Sequence, residues 1–142
     1  LDLRALTPTY AVSPQILPED LPAIKAAGYT TVIDNRPDGE IPPDLHAAVL
    51  FPVAQALGLT FVTNPIIGGA MTMENVTAQR AAIDASSGPV FAYCASGNRS
   101  SVVWALAHAD RMPADELVGI PARFGYNLEH LRPQLATLAV KG

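Results

Sequence analysis

The chain has 142 residues, of which 49% are hydrophobic and 15% charged, and its 9 Lys and Arg against 13 Asp and Glu give a net charge of −4. That is enough apolar sequence to bury one core without staples. The acidic balance excludes a basic face for a nucleic-acid backbone or an anionic membrane, and a single cysteine, Cys94, excludes an internal disulfide and a cysteine-based zinc site. The longest apolar runs, such as Val102 to Ala107, are too short to span a bilayer, and the start shows no secretory pattern. One domain over residues 1–142, soluble and cytoplasmic, with neither nucleic acid nor membrane as partner, is therefore expected; the oligomeric state is left open.

In chain order, Leu3 to Leu6 and Tyr10 to Val12 read as short strands. Pro18-Glu19-Asp20 opens a helix with proline and acids in its first turn, and Gly28 ends it. The β-branched run Thr30 to Ile33 is a buried strand that feeds a polar loop, Asp34 to Gly39. Leu45, Val49, Leu50, Val53 and Leu57 have helical spacing, with Pro52 expected to kink or break the helix. Leu59 to Thr63 is the next strand, Asn64 to Ala70 a glycine-bearing loop, and Thr72 the cap of a helix through Val76 and Ile83. Val90 to Tyr93 is a further buried strand, followed by the loop Cys94 to Ser101 and a mostly apolar helix over Val102 to Arg111. Helical segments near Ala114 to Phe124 and Leu128 to Leu138 complete the chain.

Strands alternating with helices imply an α/β fold with a mainly parallel central sheet and helices on both faces. Such sheets bind ligands beyond their strand carboxyl ends, so the loops Asp34 to Gly39, Asn64 to Ala70 and Cys94 to Arg99 should share one rim. Cys94 falls between a buried strand and a helix start, where unpaired N–H groups and the helix dipole favour a thiolate over an inert core thiol. Ala95, Ser96, Gly97 and Asn98 let the backbone curl with its N–H groups inward, Arg99 can fold back as a two-pronged oxyanion donor, and Ser100 is placed to donate to the thiolate. These residues form the expected anion cradle.

Val90-Phe91-Ala92-Tyr93-Cys94-Ala95-Ser96-Gly97-Asn98-Arg99-Ser100-Ser101 resembles the active loop shared by cysteine-dependent phosphatases and rhodanese-type sulfurtransferases. Together with Ser13-Pro14-Gln15-Ile16, Pro18-Glu19-Asp20-Leu21, Ala27-Gly28-Tyr29 and Val32-Ile33-Asp34-Asn35-Arg36-Pro37-Asp38-Gly39-Glu40, the chain is similar to the bacterial beta-lactamase-hydrolase-like phosphatase family, also labelled a sulfur transferase family. The resemblance runs from about Leu3 to Leu138. It implies a dual-specificity-phosphatase-like fold, a Cys94 nucleophile, anion binding by Arg99 and hydrolysis of a phosphoester through a cysteinyl-phosphate. Two local features point instead to sulfur transfer through a persulfide on Cys94. Four residues separate Cys94 from Arg99, the rhodanese count, where phosphatases have five, and Tyr93 stands where many phosphatases have histidine. One residue fewer shortens the arc by up to about 3.8 Å and deletes a possible N–H donor.

A phosphatase also needs a proton donor for the leaving oxygen. The stretch Asn64 to Met73 that should carry it holds no acid. Glu74, at a helix start, and Asp38, on the neighbouring rim, are the alternatives, but Glu74 reads more readily as a helix-dipole residue and Asp38 as a turn residue, and neither is assigned. Arg36 either adds positive charge to the rim or pairs with Asp34 or Asp38. Gly68 and Gly69 fit a tight turn. His46, His108 and His130 are isolated on expected helices and have no metal-ligand spacing. The expectation is a hydrolase of a small anionic or phosphorylated substrate, without metal or organic cofactor. Sulfur transfer is the alternative, and an anion-binding module with little turnover the third reading.

Overall fold

A computed structural model describes residues 1–141. Its five-stranded sheet has the order β1-β2-β5-β3-β4, with β1 (Arg4–Thr7), β2 (Tyr10–Ser13), β3 (Thr31–Asp34), β4 (Thr60–Thr63) and β5 (Val90–Tyr93). β1 pairs antiparallel to β2, and every other pair is parallel. β2, β3 and β5 are buried along their whole length, as strands covered on both faces must be. The edge strand β4 exposes its terminal threonines.

Helices cover both faces, as the sequence implies. α1 (Leu21–Ala26) and α2 (Ala47–Ala56) bury Leu21, Ile24, Leu50 and Ala54 against Val32, Phe91 and Tyr93. α3 (Met73–Ala85), α4 (Asn98–Ala107), α5 (Ala114–Ala122) and α6 (Arg132–Lys141) lie on the other face, where Val76, Trp104, Leu117 and Leu135 meet Ile33 and Ala92. Side chains of this size contribute roughly 1.5–3 kcal/mol each when buried. The connection through α2 runs on one face and that through α3 on the other, so the chain switches direction at the carboxyl ends of β3 and β5, where ligands bind in open α/β sheets. Asn35 and Cys94 immediately follow those ends.

Three local expectations change. Pro52 does not break α2: the Ala48 carbonyl it leaves without an N–H is on an exposed stretch of the helix, where water can serve it. The helix expected over Val102 to Arg111 begins at Asn98 and ends at Ala107. Gly97, at φ +97°, turns the chain in the left-handed region, and its carbonyl accepts the Ser101 N–H at 3.0 Å, opening the helix four residues early. Arg99 and Ser100 thus ride on the first turn of α4 and not on a free loop. At the other end the Arg111 and Met112 N–H groups close a turn on the His108 carbonyl.

Buried amides tie the layers together. Asn35 Nδ2 donates to Asn64 O at 3.0 Å and to Gln79 Oε1 at 2.9 Å, while Asn35 Oδ1 accepts from Gln79 Nε2 at 3.1 Å and Ser100 Oγ at 2.9 Å. Gln79 also donates to the Tyr10 hydroxyl at 3.0 Å and accepts from Asn64 Nδ2 at 2.9 Å. Tyr10 passes its own proton to the Ser100 carbonyl at 2.9 Å. Truncating Asn35 strands buried polar groups on both Gln79 and Ser100, each costing about 1–3 kcal/mol. Asn35→Ala should therefore lower unfolding stability by about 3 kcal/mol in urea titration; a loss below about 0.5 kcal/mol would show that the network is dispensable.

Candidate active site

The loops after β3, β4 and β5 meet at one rim, as expected from their strand ends. Cys94 sits at its floor, 1% exposed, and its sulfur accepts the Gly97 N–H at 3.1 Å. The Asn98 N–H is taken by Ser96 Oγ at 3.2 Å. The N–H groups of Ala95, Ser96, Arg99 and Ser100 have no acceptor among the described residues, and such groups can serve an oxyanion. Fewer donors are free than the sequence implies, because the short loop satisfies two of them itself.

Arg99 is held by both neighbouring loops. Its Nη1 donates to Glu40 Oε2 at 2.8 Å and to the Ile66 carbonyl at 2.7 Å, and Nη2 donates to Glu40 Oε1 at 2.8 Å. Glu40 therefore grips the outer end of the guanidinium, while the side edge formed by Nε–H and the second Nη2–H has no hydrogen-bond acceptor among the described residues. This edge is a complete fork for one oxyanion, and the same guanidinium lies close enough to Cys94 to interact with its sulfur. Hydrogen bonds from Arg99 first, and from Arg36 at 3.2 Å, hold the Glu40 carboxyl below its ordinary range.

Several residues take other places than the sequence suggests. The Ser100 hydroxyl, expected to donate to the thiolate, gives its proton to Asn35, because its side chain faces the buried amides beneath the loop. Arg36 does pair with an acid, but with Glu40, and its Nη1 reaches Gln15 Oε1 at 3.4 Å. The Asp38 carboxylate faces α2: it accepts the Ala47 N–H at 3.1 Å and stands 4.0 Å from His46 Nδ1. Glu74 is an exposed residue of the first turn of α3, whose cap Thr72 accepts the Asn75 N–H at 3.1 Å. His46 bonds the Ile41 carbonyl and His108 the Trp104 carbonyl. No cluster of three metal-ligating side chains occurs among the described residues, nor does any helix long and apolar enough to cross a membrane.

Glu40, Asn35 and Tyr126 are the neighbours that sequence reading passes over. In the sequence Glu40 only ends the motif Val32 to Glu40 and carries no role of its own, because its partner is 59 residues away. Tyr126 follows α5, and its hydroxyl donates to the Ser96 carbonyl at 2.8 Å. Next to Arg99 a cleft of about 350 Å³ opens, lined in part by Ile67, Met71, Met73, Asn98 and His130. Arg99 is the one Lys or Arg on its wall among the described residues.

Asp34 lies under the rim, 2% exposed, with its Oδ1 accepting the Arg36 N–H at 2.9 Å. Among the described residues the buried Tyr93 hydroxyl has no hydrogen-bond partner. Burial pushes Asp34 up from 3.8 to about 6, against the pull of the Arg36 N–H.

Residues 2–111 match the family described as beta-lactamase hydrolase-like protein, phosphatase-like domain. A beta-lactamase hydrolase-like protein of Xylella fastidiosa is 32% identical over 103 residues, 71% of this chain and 24% of that protein. The chain thus spans about a quarter of the length of the curated relatives it matches. Among solved structures, a phosphatase candidate of Neisseria meningitidis Z2491 is 31% identical with a TM-score of 0.80, covering 95% of this chain and 96% of that one. The core catalytic domain of the PP-IP phosphatase SIW14 of S. cerevisiae is 11% identical, with a TM-score of 0.67 over 96% of this chain and 82% of that one, and shares the fold. The α/β architecture is that of the dual-specificity and tyrosine phosphatase-like proteins.

Two measurements follow from the site's charges. If Glu40 orients Arg99, Glu40→Gln should lower kcat/KM at least about tenfold, because a misdirected guanidinium no longer presents its fork; a rise in activity would make Glu40 a competitor for the anion instead. Asp34 has a folded pKa above its unfolded value, so its stabilising contribution is present below pH 3.8 and lost as pH rises through about 6. Asp34→Asn should therefore be more stable than the wild type at about pH 8 by up to about 3 kcal/mol, with the gain fading toward about pH 4. Equal gains at both pH values in urea titrations would refute the buried charge as the cause.

Proposed function

We propose, from the premise that the chain belongs to the beta-lactamase hydrolase-like phosphatase-like domain family, that it is a cysteine-dependent hydrolase of a small phosphoester. The observation that supports this most is the pairing of the Cys94 sulfur, bound to an inward N–H at a helix start, with the free side edge of Arg99. In this reading Arg99 and the open N–H groups hold the phosphoryl oxygens, and Cys94 attacks phosphorus in line. An S–P bond forms and the ester P–O bond breaks. Water then attacks phosphorus, the S–P bond breaks, and phosphate and the thiolate are released.

No carboxyl group stands on the stretch Asn64 to Met73, and Asp38 is turned toward α2, so the leaving oxygen takes its proton from water. That favours esters whose leaving group is stable as an anion. With Arg36 and Arg99 both paired to Glu40, the rim carries charge enough for one small anion and not for a polyphosphate. The second reading, sulfur transfer through a persulfide on Cys94, is favoured by the four-residue loop and its two self-satisfied N–H groups, since a sulfane sulfur needs fewer donors than a tetrahedral phosphoryl group. The third, an anion-binding module with little turnover, is motivated by the missing acid.

The deciding experiment compares wild type and Cys94→Ser on an aryl phosphate, an alkyl phosphate and thiosulfate with cyanide. Cys94-dependent release of phosphate from the aryl ester, with the alkyl ester hydrolysed far more slowly, is expected. Thiocyanate formation without phosphate release would transfer the assignment to sulfur chemistry. Retention of anion binding with no turnover on any substrate would leave the binding module.

A further inference from the structure

We infer that Tyr126 is the positioning residue of the nucleophile loop, acting through the single peptide unit that joins Ser96 to Gly97. The inference rests on Cys94 being the reacting atom, whichever group it carries. Tyr126 Oη accepts from Arg4 Nη1 at 2.6 Å and lies 2.8 Å from the Ser96 carbonyl. A guanidinium has only donors. The phenol oxygen must therefore accept from Arg4, and its one proton must go to Ser96 O. Burial raises the Tyr126 pKa, so that proton is retained at neutral pH.

Arg4 is itself fixed on β1. Its Nη2 and Nε bond the two Asp2 carboxylate oxygens at 2.6 Å and 3.2 Å, and its guanidinium carbon lies 5.3 Å from the Tyr126 ring centre. An N-terminal strand thus reaches the catalytic loop through one hydroxyl.

The consequence follows from peptide geometry. The Ser96–Gly97 peptide is trans, and in a trans unit C=O and N–H point to opposite sides. Holding the Ser96 carbonyl outward on Tyr126 therefore aims the Gly97 N–H inward, where it meets Cys94 Sγ at 3.1 Å. The left-handed φ of Gly97 permits this orientation, and a Cβ there would come within 2.2 Å of the Tyr126 oxygen. Gly97 is thus the residue that lets the phenol seat against the loop. Without the Tyr126 proton the peptide is free to rotate, and the Cys94 sulfur loses a donor that stabilises negative charge on it, above all as a leaving group.

The test compares wild type, Tyr126→Phe and Arg4→Met by Cys94 alkylation with iodoacetate at one pH near neutrality, thiolate ultraviolet absorbance read against Cys94→Ser, and steady-state kinetics. Tyr126→Phe should be alkylated roughly threefold to tenfold more slowly, since fewer thiolates outweigh their greater intrinsic reactivity. Its thiolate absorbance should fall, and its loss of turnover should lie in kcat with KM little changed. Arg4→Met, which removes a half-buried partner and not the phenol, should show the same direction with smaller size. A folded Tyr126→Phe alkylated at the wild-type rate overturns the inference; if that variant does not fold, an Arg4→Met protein with wild-type alkylation and absorbance does so instead. Alkylation and absorbance need no substrate, so an inactive wild type would refute the proposed hydrolase while leaving this inference to be decided separately.

Discussion

A polar side chain with no access to water must find its partners inside the protein, and Asn35 and Gln79, both fully buried, do so in full. Each uses two donors and two acceptor positions, and between them they reach β2 through Tyr10, the end of β4 through Asn64, and the first turn of α4 through Ser100. The amide pair thereby joins the sheet edge to helices on one of its faces. Apolar packing alone would let α4 slide or turn by small amounts, because burial is nondirectional. Directional bonds at Ser100 remove that freedom one residue from Arg99. The geometry of the loop from Cys94 to Arg99 depends on this anchor as much as on the loop's own residues.

Above that anchor the site is built from charges that restrain one another. Glu40 takes one end of the Arg99 guanidinium and Ile66 a further proton, so the arginine is oriented before any ligand arrives. An oriented donor needs little rearrangement to meet developing charge. The same ion pair offsets positive charge that a larger anion would need. Apart from Glu40, Tyr126 and Arg4 also hold the loop, so both ends of the four-residue arc are tied to residues distant in sequence.

Much of this was legible from the residues. The uninterrupted β-branched and apolar runs Thr30 to Ile33 and Val90 to Tyr93 read as buried strands, and strands separated by helices imply parallel pairing with loops at a common edge. Thr72 as a cap followed from the needs of free N–H groups. Cys94, small residues and Arg99 in that order announced a tight loop at a helix start. What misled was local polarity. Asn98 to Ser101 lack an apolar stripe, so the helix seemed to begin at Val102, whereas Gly97 and the buried amides start it at Asn98.

The sequence by itself determined the α/β class, the shared rim and the residues that can carry chemistry there, because hydrophobic period, turn chemistry and caps act over a few neighbouring positions. Only the tertiary structure decided which groups those residues face: Ser100 toward Asn35 and not toward the thiol, Arg99 onto Glu40, Tyr126 onto the Ser96 carbonyl. Hydrogen bonds depend on direction and on separations of about 3 Å. Partners 30 to 65 residues apart acquire both only when the layers have packed.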